Sequence, residues 1–149
     1  MGVGVDLEDG RALERFAAAA LHRFMHRWFT AAERSWCVAH PSLARALVIG
    51  IACKEAVYKS IAAPELTPDQ VQIEMAEEGV VTTAFVRGAY AVSRTRLVWT
   101  VAGQGILALA VDSSLPRGVL DQLLQLGRAE ALGKSRASGA IPPLYGQPG

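Results

Sequence analysis

Apolar and polar positions change rhythm twice along this chain. Residues 2–7 alternate loosely and predict a short strand. Its apolar run, Val3 to Val5, ends in three acids, Asp6, Glu8 and Asp9, with Asp9 placed to cap the next segment. From Arg11 to Phe29 the rhythm becomes helical, with Leu13, Phe16, Ala20 and Phe24 on one stripe. Thr30 and Glu33 have the spacing of a capping box at the head of a second, short helix that ends near His40–Pro41. Ser42 is placed to cap a third helix over residues 43–63, which is apolar almost all round. That pattern predicts a central helix covered on several sides. Pro64 and Pro68 then break the chain.

Beyond Pro68 the period falls to two. Residues 71–77, 79–88, 96–103 and 105–112 are rich in Val, Thr and aliphatic side chains and carry Gly near their ends. They predict an antiparallel meander. A last helix starts near Ser114 or Pro116, with Val119, Leu120, Leu123 and Leu124 as its apolar face. Helices cluster early and strands late, so the expected class is α+β, with helices packed on a small antiparallel sheet. Residues 1–134 read as one domain. Residues 135–149, rich in Pro, Gly and Ser, read as a flexible tail.

Composition narrows the functional classes. The chain has 149 residues, 51% of them hydrophobic, enough for a core without metals or disulfides. A net charge of +1 gives no bulk attraction to nucleic acid or an anionic membrane. The two cysteines, Cys37 and Cys53, form no CxxC pair and read as free buried thiols in a reducing compartment. No signal-peptide pattern or membrane-spanning run stands out, which predicts a cytoplasmic protein with no membrane partner. There is no P-loop, dinucleotide fingerprint or serine-hydrolase elbow.

Charge is informative in two places. In the third helix, Lys54, Glu55 and Lys59 interrupt an otherwise apolar run, and Glu55 and Lys59 stand four apart on one face. The plain reading is a solvent-exposed pair worth about 0.2–0.5 kcal/mol. The other reading is that this face meets a cleft or a metal. At the N-terminus, Asp6 and Glu8 are two apart, so an extended chain points both to one side. With Glu55 they offer three carboxylates to one hard cation. An all-oxygen set suits Mg²⁺ better than zinc. His22, Arg23, His26 and Arg27 form a basic stretch, read either as a solvated helix face or as a landing patch for an acidic partner.

The segments "GVDLE" and "CKEAVYK", with "RWFTAAERSWC" between them, resemble the signature segments of the 4′-phosphopantetheinyl transferase superfamily, in its order and near its separation. The length resembles the small, holo-acyl-carrier-protein-synthase-like branch, whose members typically form trimers with sites between subunits. The resemblance implies transfer of the phosphopantetheine arm of coenzyme A to a serine of an apo acyl or peptidyl carrier protein, with Mg²⁺. It implies Asp6, Glu8 and Glu55 as metal ligands and Glu55 and Lys59 as catalytic residues. It further implies Lys54, Lys59 and either Arg11 or Arg15 as contacts to coenzyme A, and a homo-oligomer, trimer preferred. Two features depart from the family pattern. No glycine follows the third helix, where the sequence reads "SIAAPELTPD". The His usual before the last strand is missing, with Thr100 the only hydroxyl at hand. A non-catalytic binding or assembly protein on the same scaffold, and a different Mg²⁺-using phosphoryl enzyme, are the alternative readings.

Overall fold

The computed structural model describes residues 2–61, 66–87, 92–113 and 116–139. Strand β1 (Val3–Asp9) is followed by helices α1 (Ala18–Trp28), α2 (Ala31–Ala39) and α3 (Leu43–Ile61). A single 3₁₀ turn, Pro68–Gln70, leads into β2 (Val71–Ile73), β3 (Thr82–Arg87), β4 (Val92–Ala102) and β5 (Gly105–Asp112). Helix α4 (Arg117–Gly139) ends the described chain.

The sheet is antiparallel throughout, in the order β1-β5-β4-β3-β2. The predicted meander is β2 to β5, and β1 joins its far edge by pairing Asp6 with Ala108 and Glu8 with Ile106. Gly103, at φ 61°, supplies the left-handed residue in the tight β4–β5 turn.

Helix α3 is the centre of the fold. One side lies on the inner sheet face, against Ala84, Val86, Leu97, Trp99, Ile106 and Ala108. Its other side meets Leu21, Met25, Phe29 and Cys37 of the α1–α2 layer. This sandwiching explains why apolar residues run almost round the helix. Ser42 caps it, its Oγ accepting from the Arg45 N–H at 3.2 Å. On the outer sheet face, Val98, Leu109 and Val111 are covered by Leu120 of α4.

Several boundaries differ from the sequence reading; β3 begins at Thr82 and β4 already at Val92. Residues 11–17 are not the first turns of α1. They form short i→i+3 turns, Ala12 N–H to Asp9 O and Phe16 N–H to Leu13 O, and Phe16 is exposed. Asp9 holds this turn, its Oδ1 accepting from the Arg11 N–H at 2.9 Å, so the helix begins only at Ala18. β2 is three residues long; the Glu74 N–H still donates to the Thr83 carbonyl at 3.0 Å, and the chain then leaves the ladder towards the Gly79 turn. Helix α4 runs to Gly139, five residues past the expected domain end; 140–149 lie outside the described residues. No helix among the described residues is long and apolar enough to cross a membrane.

Strand β1 inverts the usual pattern. Gly4 and Asp6 are buried against α3 and Glu8 is half-buried, while Val3, Val5 and Leu7 face outward. Gly4 makes this possible: a Cβ there would run into the Ala56 carbonyl of α3. The close approach sets the two strand carboxylates beside the last turns of α3.

Candidate active site

Asp6 is only 6% exposed. Its Oδ1 accepts from Lys59 Nζ at 2.6 Å, and the same ammonium lies 3.3 Å from the Val5 carbonyl. Lys59 reaches down from α3 with half of its side chain in solvent. The four-apart Glu55 and Lys59 therefore do not form the plain surface pair. The described ion pair of Lys59 is with the strand.

Glu8 stands beside Asp6, as strand alternation requires. Its pKa is pushed up to about 7. Burial is the largest cause, followed by the hydrogen bond its protonated form makes to Asp6 and by the negative charges of Asp6 and Glu55; Lys59 opposes them. Lys59 is raised, chiefly by its bond to Asp6. With Glu8 ionised, Oδ2 of Asp6 is buried with no hydrogen-bond donor. Asp6, Glu8 and Glu55 thus concentrate negative charge at the junction of β1 and α3, and Lys59 offsets part of it.

The expected three-carboxylate cage is not assembled. Among the described residues no three Asp, Glu, His or Cys side chains converge closely enough to hold an ion. The Lys59 ammonium takes Oδ1 of Asp6. The donor chemistry still suits a hard cation. All the acids are oxygen donors, and the orphaned Oδ2 is a buried acceptor without a donor.

Lys54 is engaged inside the fold. Its side chain is 3% exposed, and its ammonium donates to Glu33 Oε1, at 2.9 Å, and to the carbonyls of Pro68 and Val71, at 2.8 and 2.7 Å. All three donors of the ammonium are taken, leaving none for a coenzyme A phosphate. Burial holds its pKa below the ordinary lysine range, with Glu33 opposing the shift.

Arg11 and Arg15 both lie on the exposed turn after β1. Arg11 is bonded to Glu14 at 3.3 Å, and Arg15 stacks over Phe16 at 5.1 Å. The structure gives neither a contact to Asp6 or Glu8. Thr100 is buried, and its hydroxyl donates to Glu78 Oε1 at 2.8 Å, so it does not stand in for the missing His. Ala62, Ala63 and Pro64, where the family's glycine would stand, lie outside the described residues. His22, Arg23, His26 and Arg27 lie on α1, and His22, Arg23, His26 and Arg27 all reach solvent there. Cys37 and Cys53 are free and buried, and burial pushes the Cys37 thiol up to about 12.

Next to Glu55 lies a cavity of about 280 Å³ that the sequence did not reveal. It is lined by Trp28, Lys54, Glu55, Tyr58, Thr67 and Pro68, with Leu66 and Val71. Tyr58 and Glu55 are three apart, a spacing that could have marked them as neighbours on one helix face. Trp28 gave no such signal; its ring stacks on Phe24 at 5.2 Å between centroids.

Solved structures resemble this chain. A holo-[acyl-carrier-protein] synthase of Helicobacter pylori in complex with coenzyme A is 15% identical, with a TM-score of 0.56, over 74% of this chain and 99% of that one. The holo-[acyl-carrier-protein] synthase of Thermotoga maritima is 17% identical, with a TM-score of 0.55, over 73% of this chain. The match spans 61% of the Thermotoga chain. At these identities the likeness is one of fold. No curated protein matches by sequence. The sequence profile of the 4′-phosphopantetheinyl transferase superfamily matches residues 2–110, nearly all of the α1–α3 layer and the sheet. The chain belongs to the 4′-phosphopantetheinyl transferase superfamily.

Proposed function

We propose that this chain transfers the 4′-phosphopantetheine arm of coenzyme A to a serine of an apo acyl or peptidyl carrier protein, as a Mg²⁺-dependent holo-[acyl-carrier-protein] synthase-type enzyme of the cytoplasm. The observation that carries the reading is the contact of Asp6 on β1 with Lys59, one helical turn beyond Glu55 on α3. Two sequence segments more than forty residues apart, each resembling a family signature, meet there.

Asp6, Glu8 and Glu55 are the residues that would hold Mg²⁺. When bound, the ion would offset charge on the pyrophosphate of coenzyme A. Glu55 lines the cavity, where it would face a bound substrate as the base for the carrier's serine hydroxyl. The serine oxygen attacks the β-phosphorus and forms the new P–O bond. The bond to the leaving 3′,5′-ADP breaks, and the hydroxyl proton goes to Glu55. Lys59, half in solvent, turns its ammonium from Asp6 towards phosphate oxygens and holds their charge. The chain's main contribution is positioning and electrostatics. The basic face of α1 is the landing surface for an acidic carrier. The protein works as a homo-oligomer, trimer preferred.

An intact-mass assay on a panel of apo carriers, with coenzyme A and Mg²⁺, tests this reading. A folded protein that adds no arm to any carrier would sink it. Full activity in Glu55→Ala would leave the transfer in place and remove Glu55 as its base and ligand.

A further inference from the structure

Glu33 completes the capping box of α2: Thr30 N–H donates to its Oε1 at 2.7 Å, and its own N–H donates to the Thr30 hydroxyl at 3.4 Å. Yet Glu33 is 0% exposed, unusual for a capping carboxylate. Oε1 also accepts from Lys54 Nζ, and Oε2 accepts from the Ile73 N–H at 2.8 Å. One carboxylate therefore ties the head of α2, the middle of α3 and the end of β2. Lys54 continues the chain of bonds to the carbonyls of Pro68 and Val71. Its ammonium also sits 5.2 Å over the Phe29 ring.

The destination of these bonds matters. Pro68 and Val71 are walls of the cavity beside Glu55, and Lys54 is the residue before Glu55. Buried ion pairs are a poor source of net stability, because desolvating two charges offsets most of their attraction. A pair kept at this depth is better explained by the geometry it imposes. We propose that Glu33 is a positioning residue of the transfer site. Through Lys54 it holds the Thr67–Val71 segment against α3, and so fixes the cavity in which coenzyme A is held next to Glu55. The assignment rests on the transferase reading and gives the Phe29–Thr30–Glu33 segment a role in it: cavity shape, reached through Lys54.

The test uses the intact chain. Glu33→Gln leaves the Lys54 charge unpaired and risks unfolding. The companion Glu33→Gln/Lys54→Met removes both charges, a change that buried pairs often tolerate. For either variant with a wild-type circular dichroism spectrum, the KM for coenzyme A should rise about tenfold while kcat changes less than about threefold. The KM for the carrier should stay put. In the wild type, coenzyme A should slow amide exchange at Val71 to Ile73, a measurement that needs no variant. A folded variant with unchanged KM for coenzyme A, or a loss confined to kcat, overturns the assignment. So does wild-type exchange at Val71 to Ile73 that coenzyme A leaves unchanged. A wild type that neither binds coenzyme A nor transfers the arm sinks the transferase reading instead, and this assignment with it.

Discussion

The ammonium of Lys59 rests 2.6 Å from Oδ1 of Asp6, joining the last turns of α3 to the edge strand β1. The other oxygen of the same carboxylate is buried without a donor. A cation entering here would compete with Lys59 for Asp6. Lys59→Ala removes that competitor along with a charge that would face phosphate. The variant should lose about 1 kcal/mol of stability, since water reaches the ammonium and screens the pair. Transfer should fall at least about a hundredfold. Mg²⁺ should raise its melting temperature more than it raises that of the wild type. Thermal scans with and without Mg²⁺ check this; an equal or smaller Mg²⁺ shift would show that Lys59 does not guard the carboxylate.

Glu8 sets a pH dependence. Its folded value, about 7, lies above its ordinary 4.5, so the folded metal-free protein holds a proton there that the unfolded chain releases. That contribution to stability is complete below pH 4.5 and is lost as pH rises to about 7. Mg²⁺ needs the ionised carboxylate, so its affinity should climb through the same window and level off above it. Melting curves across roughly pH 5–8, with and without Mg²⁺, should therefore diverge as pH rises. Glu8→Gln should flatten the metal-free slope. A slope that survives this change would belong to another group.

Parts of this site are legible because they obey local periodicity. Asp6 and Glu8 alternate on a strand, and Glu55 and Lys59 share a helix face. The family resemblance supplies the link between the two. Glu33 and Lys54 escape such a reading for the same reason. Glu33 sits three residues after Thr30, and that spacing already has a sufficient local explanation. Its burial depends on where β2 lies, and nothing near Glu33 in sequence reports that. Lys54 stands out as a charge in an apolar helix, but its partner, Glu33, stands far earlier in the chain on another helix. The fold is legible to the extent that α3 is apolar all round and the strands alternate. The inverted face of β1 is not, since it follows from the fit of Gly4 against the Ala56 carbonyl.

That fit yields a third prediction. Gly4→Ala places a Cβ against backbone, which cannot turn aside as a side chain would. Helix α3 must move off β1, and Lys59 and Glu55 must move with it. The expected cost is about 1–3 kcal/mol of stability, the range for overpacking. Activity should fall more than stability alone accounts for, because the strand and helix halves of the site separate. Denaturant unfolding beside the transfer assay measures both. A variant with wild-type stability and rate would mean the close approach is not needed.

The outward row of β1 bears on the assembly. Val3, Val5 and Leu7 are 44%, 47% and 51% exposed, on a strand that lies at the edge of the sheet among the described residues. Val3 and Val5 also line a broad apolar groove with Leu107, Leu109, Leu124 and Leu126. An edge strand with three such side chains invites pairing, and none of the three carries a charge that would discourage it. The proposed homo-oligomer would cover this row, so Val5→Lys or Leu7→Lys should disperse it to monomers while leaving the fold intact. The carboxylates on the inner face of β1 would keep their local contacts. If a neighbouring subunit completes the site, transfer should drop together with the assembly, and raising the protein concentration should restore part of it. Light scattering and the transfer assay on the same samples test the two claims. A wild-type protein that is monomeric at micromolar concentration and fully active would reject the oligomer. Variants that become monomeric yet stay fully active would retain the interface but remove its role in the site.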